Sequence, residues 1–149
     1  MKLLLSILVV IFVFQDNKSP EQIALSYFMV ELFPDLKKDV GEIEFNGCTT
    51  GQMTRFDERG ICFDNDYGLW GEIQRESNSK VKKEKLFYHE NSFAKRSKNK
   101  LQVYGATLVN NKYYVEIELR KGKFEIENYF FEISSDTVMR TCKMKFTIN

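Results

Sequence analysis

Residues 101–148 have the sequence LQVYGATLVNNKYYVEIELRKGKFEIENYFFEISSDTVMRTCKMKFTI, and this stretch decides the fold. It consists of four segments rich in β-branched and aromatic residues, a composition that favours strands. Short polar sequences separate the segments, namely Asn110-Asn111, Lys121-Gly122 and Ser134-Ser135-Asp136. Asparagine and glycine tolerate the positive φ that tight hairpin turns require. The stretch therefore predicts a meander of four antiparallel strands.

The turns also predict a register, because a short turn fixes which residues of two strands lie opposite each other. In this register one face is apolar and has Tyr104, Ile117 and Ile126 in a single row. The other face carries carboxylates bordered by lysines: Glu116, Glu118, Glu125, Glu127, Lys143 and Lys145. Paired carboxylates can act as acid and base on a glycosidic bond. We expect this face to be exposed and to lack the cleft that such chemistry needs, so we do not predict catalysis there.

Two polar residues, Asn128 and Arg140, interrupt the apolar face at one end of the sheet. A polar group that faces a core costs about 1–3 kcal/mol unless it finds a partner. Either the strands splay apart there and Arg140 reaches water along its apolar stem, or a pocket opens between helix and sheet. Such a pocket would be lined by Asn128, Arg140, Tyr113 and Cys142, and its guanidinium would bind a carboxylate or phosphate. Arg140, Asn128 and Tyr113 are therefore the candidate ligand-binding residues.

A helix is predicted to begin after Ser19, which suits the N-cap position, with Pro20 at the first helical position. Apolar residues follow at helical spacing and cover most of the helix circumference, so the helix should be buried on more than one side. Pro34 is expected to end it, because proline lacks the N–H that a helix interior uses. The natural partner of this helix is the apolar face of the meander.

The predicted fold class is α+β, with one N-terminal helix packed on a curved antiparallel sheet that ends in the four-stranded meander. A leading helix followed by a long meander resembles the cystatin-like and NTF2-like folds. The resemblance is one of topology and covers the helix and residues 101–148. Those folds host binders, inhibitors and enzymes alike, so the resemblance does not choose a function.

Residues 1–15 are predicted to be a secretory signal sequence, and residues 16–149 a single domain. The apolar run Leu3–Phe14 follows one basic residue and is short for a membrane span, which needs about 20 residues. The alternative is a membrane anchor formed by residues 3–14. We therefore expect a secreted or periplasmic protein, or one that is membrane-anchored. The formal net charge of +1 argues against a nucleic-acid-binding domain.

The chain has three cysteines, and an oxidising compartment favours one disulfide and one thiol. We expect the disulfide to join Cys48 and Cys62, which are close in sequence, with Cys142 reduced and buried. Residues 64–68, Asp-Asn-Asp-Tyr-Gly, resemble half of a calcium loop but lack its remaining ligands. We expect an Asx-rich turn there, and neither a metal nor another cofactor.

The segment Lys80–Lys100 contains eight basic and two acidic residues. Such a charge run is typical of a solvated loop. The alternative is contact with an anionic surface, such as a polysaccharide, a phospholipid or an acidic protein.

We predict that the protein is an exported noncatalytic binding or interaction module. Its partner would be a small anionic ligand, or a protein or peptide, held in a pocket between helix and sheet. The alternative is a small enzyme that uses the same pocket. An enzyme would need a titratable base beside Arg140, for which Tyr27, Tyr113 and Glu132 are the candidates. The position of these three side chains relative to Arg140 distinguishes the two hypotheses.

Overall fold

The computed structural model describes residues 18–49, 63, 69, 71–73 and 92–148. It confirms the α+β class, because a leading helical segment packs on a mostly antiparallel six-stranded sheet. Within the described ranges, none of the helices has the length and apolar character needed to cross a membrane. The elements are α1 (Pro20–Tyr27), a π-helical turn (Phe28–Leu32), α2 (Phe33–Val40), β1 (Glu44–Thr49), β2 (Lys100–Tyr104), β3 (Thr107–Val109), β4 (Lys112–Lys121), β5 (Glu125–Ser134) and β6 (Thr137–Thr147).

Several predictions concern residues outside the described ranges. They are the signal sequence in residues 1–15, the Asx-rich turn at 64–68 and the part of the basic segment that precedes residue 92. These stay predictions.

The helix begins as predicted but does not end at Pro34. Ser19 caps it, since its Oγ accepts a hydrogen bond from a backbone N–H of the first turn, and Pro20 takes the first position. The helix then widens into the π-helical turn, where the N–H of Phe33 donates to the carbonyl of Phe28, five residues back. The ring of Pro34 would collide with a carbonyl of a regular α-helix and offers no N–H in return. The wider turn precedes the proline and lets the helix run on into α2.

The sheet has the order β1-β2-β4-β5-β6, and β3 pairs with β4 beyond the end of β2. β1 and β2 are parallel, whereas the other pairs are antiparallel. The consecutive antiparallel pairing predicted for residues 101–148 is therefore present, with β6 at one edge of the sheet.

The first predicted strand of the meander is divided into two. Gly105 and Ala106 separate β2 from β3, and β3 keeps the predicted register with β4. The interruption shifts β2 by one residue, so that Leu101 lies opposite Leu119 and is buried. Tyr104 was predicted to lie in the apolar row, but its hydroxyl reaches the opposite face of the sheet, where β4 places its carboxylates.

The loop between β4 and β5 is one residue longer than predicted. Lys121 pairs with Glu125 across residues 122–124, and Ile117 consequently lies opposite Tyr129 rather than its predicted partner. This pairing differs from the predicted one by an odd number of residues. Because side chains alternate between faces along a strand, every side chain of β5 changes face. The predicted row of paired carboxylates is thereby split between the two faces of the sheet.

The sheet separates two apolar clusters. The helix packs on one face, where the rings of Phe28 and Tyr129 meet edge to face with centroids 5.0 Å apart. The opposite face, which we call the outer face, carries a second cluster: Phe63, Ile73, Val109, Tyr114 and Phe130, with Leu69, Cys142 and Met144 beside it. Asn128 and Arg140 lie on the outer face, so their predicted position between helix and sheet is wrong.

Candidate functional site

Arg140 on β6 lies directly beside Glu132 on β5 on the outer face. The guanidinium donates twice to the carboxylate, from Nε to Oε1 at 3.1 Å and from Nη2 to Oε2 at 2.5 Å. Its carbon Cζ also lies 4.8 Å from the ring centroid of Phe63. The carboxylate bound by this guanidinium is therefore an internal one.

The Glu132 carboxylate has two further donors. The Tyr114 hydroxyl lies 2.9 Å from Oε2 and the Lys112 ammonium lies 3.1 Å from Oε1. Burial alone would raise the pKa of this carboxyl. Hydrogen bonds from Arg140, Tyr114 and Lys112 outweigh burial and lower the pKa to about 2. Glu132 is therefore a fixed negative charge at neutral pH, and it is 1% exposed.

A second buried carboxylate, Glu127, lies on the helix face of the same strand, where the predicted register did not place it. It accepts from Lys121 at 2.8 Å, from Lys143 at 3.0 Å and from the hydroxyl of Tyr129 at 2.6 Å. Burial opposes ionisation, but these donors prevail and lower the pKa of Glu127 to about 2. Burial also raises the pKa of the Tyr129 hydroxyl, so the tyrosine stays protonated as the donor.

The two buried carboxylates of β5 are bound in the same way. Each is held by one cation from β4 and one from β6: Lys112 and Arg140 for Glu132, and Lys121 and Lys143 for Glu127. The sequence shows these cations, but it does not show which carboxylate each one meets. That depends on the register of both hairpins.

The predicted ligand-binding residues do not form one site. Asn128 lies on the outer face and donates from Nδ2 to Oε1 of Glu116 at 2.7 Å. Tyr113 lies opposite Leu108 and Ile133, on the helix face of the sheet. The sheet therefore lies between Tyr113 and Arg140.

Glu132 lies beside Arg140, whereas the other two candidate bases lie on the helix face. Tyr27 packs edge to face on Phe131, with ring centroids 6.0 Å apart. The geometry thus selects Glu132 as the one candidate that could act with Arg140. Its pKa of about 2 makes it a weak base.

The cysteines do not pair as predicted. Cys48 on β1 carries a thiol, so the expected disulfide between Cys48 and Cys62 is wrong. Cys142 was expected to be reduced but is disulfide-bonded. Cys142 lies on the outer face beside Phe130 and the second apolar cluster. Local spacing in the sequence therefore favoured the wrong pair.

A loop at residues 92–99 carries the last part of the basic segment and is fastened to the sheet. Phe93 stacks on Phe45 with ring centroids 4.9 Å apart. The N–H of Ala94 donates to the carbonyl of Ile43 at 2.8 Å. The buried side chain of Asn99 donates from Nδ2 to the carbonyl of Val40 at 2.7 Å. This loop is therefore held at several points along its length.

Asn99 also joins the loop to the β4–β5 turn, since its Oδ1 accepts from the N–H of Gly122 at 3.2 Å. The junction brings together exposed cations from two parts of the chain: Lys95, Arg96, Lys98 and Lys123. We call these four residues the cationic end. None of them forms an ion pair within the described part of the chain. The acidic residues Glu44 and Glu125 beside them already have their own lysine partners.

The described residues hold no group of three or more histidine, cysteine or acidic side chains that could bind a metal ion. Comparison with known proteins adds no functional information, because no family model, curated protein or solved structure matches the chain.

Proposed function

We propose that the protein is an exported noncatalytic module that binds an anionic partner through the cationic end. The observation that carries this proposal is the fastened loop. Three hydrogen-bonding points and one aromatic stack hold residues 92–99 in place, and the loop and the adjacent turn present four exposed cations. A preorganised charged surface binds at a lower entropic cost than a mobile one.

The charges elsewhere in the sheet support a binding role for this surface. Glu127 and Glu132 are satisfied by internal cations, and both stay ionised at neutral pH. Arg140, the residue that the sequence predicted to bind an anion, donates two hydrogen bonds to Glu132. Among the described residues, the cationic end therefore groups four exposed cations that have no internal carboxylate partner there. A small enzyme based on Arg140 is less well supported, since general-base catalysis favours a pKa near the working pH.

Export is part of the proposal and rests on the apolar run that follows Lys2. A protein outside the cytoplasm meets anionic surfaces, and the cationic end has the charge to contact them.

The proposal is tested with a soluble sulfated polysaccharide as the probe, titrated calorimetrically into the full chain at low and high salt. We expect binding at low salt that weakens as salt rises, because exposed charges are screened. The triple variant Lys95→Gln/Arg96→Gln/Lys98→Gln should lose this binding. Lys18→Gln removes one exposed charge at the far end of the helix and serves as the control. Equal binding by the parent and the triple variant would refute the proposal.

A further inference from the structure

An exposed apolar pair lies at the tip of the cationic end. Phe124 in the β4–β5 loop is 64% exposed, and Ile148 after β6 is 45% exposed. The two are neighbours, because the N–H of Ile148 donates to the carbonyl of Phe124 at 2.7 Å. Lys123 precedes the aromatic residue directly, and Lys145 lies nearby with its ammonium 2.9 Å from Glu125.

We propose that this surface docks on an anionic phospholipid bilayer, with Phe124 and Ile148 entering the interfacial region and the cationic end contacting the headgroups. The inference rests on the proposed function and names its partner. Apolar side chains surrounded by lysine and arginine form the combination that binds peripheral proteins to anionic membranes. Charge alone would suit any polyanion, but it gives no role to an exposed phenylalanine beside the cations.

The rigid attachment of the surface also fits a planar target. Asn99 fixes the position of the loop relative to the turn, so Lys98 and Lys123 move as one body with the apolar pair. One exposed acidic residue, Glu42, borders the cationic end. The Ser97 hydroxyl donates to the backbone carbonyl of Glu42 at 2.7 Å.

The test measures binding of the full chain to vesicles of pure phosphatidylcholine and to vesicles containing phosphatidylserine. The N-terminal apolar run meets the same hydrocarbon in both, so the difference reports the charged surface. We expect the full chain to bind the phosphatidylserine vesicles at least about tenfold more tightly, with the preference falling as salt rises. Equal binding to the two vesicle types would overturn the inference.

Single-charge variants locate the contact. Lys123→Gln should weaken binding to phosphatidylserine vesicles about fivefold, the usual effect of one cation at such a surface. Lys112→Gln removes the same charge from the opposite end of β4 and should leave binding unchanged. If the two variants weaken binding equally, the contact is diffuse and the inference fails.

Phe124→Ser separates a bilayer from other polyanions. It should weaken vesicle binding about tenfold through lost apolar burial, and it should leave binding to a soluble sulfated polysaccharide unchanged. If the protein binds the polysaccharide but not the vesicles, the membrane inference is wrong and the proposed function stands. If it binds neither, both are wrong.

Discussion

Arg140 and Glu132 are direct neighbours on β6 and β5, and the Nη2 and Nε of the arginine clasp both oxygens of the glutamate, at 2.5 and 3.1 Å. The sequence predicted that this arginine binds a ligand, whereas in the structure it binds a carboxylate of its own chain. The two side chains differ in exposure: that of the arginine is 39% exposed and that of the glutamate is 2% exposed. Removing the arginine would therefore leave a buried carboxylate with fewer hydrogen-bond donors.

Arg140→Met is accordingly expected to destabilise the fold by about 1–3 kcal/mol, because it leaves the buried Glu132 without two of its donors. Chemical denaturation measures the change. The matched control is Arg120→Met, whose side chain is 49% exposed and pairs with Glu118 at 3.2 Å. Exposed pairs of this kind contribute about 0–1 kcal/mol. Equal losses in the two variants would show that the Arg140 pair is no stronger than a surface pair.

The pH dependence of stability should show a loss on the acid side. The pKa values of Glu127 and Glu132 are lowered in the folded protein from 4.5 to about 2. A lowered folded-state pKa means that the unfolded chain binds the proton more tightly, so stability is complete above about pH 4.5 and is lost as the pH falls toward 2. Thermal melts between pH 2 and 7 measure it.

The same melts on Glu132→Gln should show a shallower decline below pH 4.5, because one of the two groups no longer titrates. Glu31→Gln changes an exposed helix residue that has no ion pair among the described residues, and its profile should follow that of the parent. An unchanged slope in Glu132→Gln would mean that the acid loss arises elsewhere.

Asn99→Ala should cost about 2–3 kcal/mol, because it removes several hydrogen bonds at once and leaves buried backbone groups unsatisfied. Asn99 joins the end of α2, the segment before β1 and the β4–β5 turn through Val40, Glu42 and Gly122. Lys98→Ala, at the exposed neighbouring position, should be within about 0.5 kcal/mol of the parent. Urea denaturation of both variants is the measurement, and a loss in Asn99→Ala no larger than in Lys98→Ala would contradict the assigned role.

The disulfide should join Cys142 to Cys62. Cys142 is disulfide-bonded and Cys48 is a thiol, and the chain has one other cysteine. Phe63, which follows Cys62 in sequence, belongs to the same outer-face cluster that Cys142 contacts. Peptide mapping without reduction should recover a fragment that links positions 62 and 142, and alkylation should label Cys48. A linked fragment containing Cys48 would refute this pairing.

Intact mass of the protein from its native host tests export. We expect the loss of about the first 15 residues, in keeping with the usual length of a signal sequence. Full-length protein recovered from the membrane fraction would support the anchor formed by residues 3–14 instead.

The strands were predictable from sequence because β-branched and aromatic residues fill residues 101–148, and asparagine marks the β3–β4 turn. Both Asn110 and Asn111 have positive φ, at 48° and 61°. The face of β5 was not predictable in the same way. This strand is buried on both sides, with Phe130 facing outward and Phe131 facing the helix. When the odd-numbered and the even-numbered residues of a strand are both apolar, the hydrophobic pattern does not show which set faces the helix. The length of the preceding loop then decides the register.

The candidate site followed from that choice. The sequence identified Asn128 and Arg140 as polar exceptions, and both do make specific side-chain contacts. It assigned them to the helix face because residues 121–124 are compatible with either a two-residue or a three-residue loop. Three of the four residues of the cationic end were visible as part of a charge run, but the attachment of that loop to the β4–β5 turn through Asn99 depends on contacts between residues distant in sequence.

The placement of one cation on each side of Glu127 and Glu132 has a consequence for biosynthesis. As the chain leaves the ribosome or a translocation channel, β4 and β5 emerge together with half of the compensating charge, and Arg140 and Lys143 arrive afterwards on β6. A nascent chain that ends before β6 would have to bury two carboxylates with incomplete compensation, which opposes early closure of the sheet. Chains that end before β6 should therefore be cleaved by proteases more readily than the full-length chain, because the sheet closes only when the last strand is present.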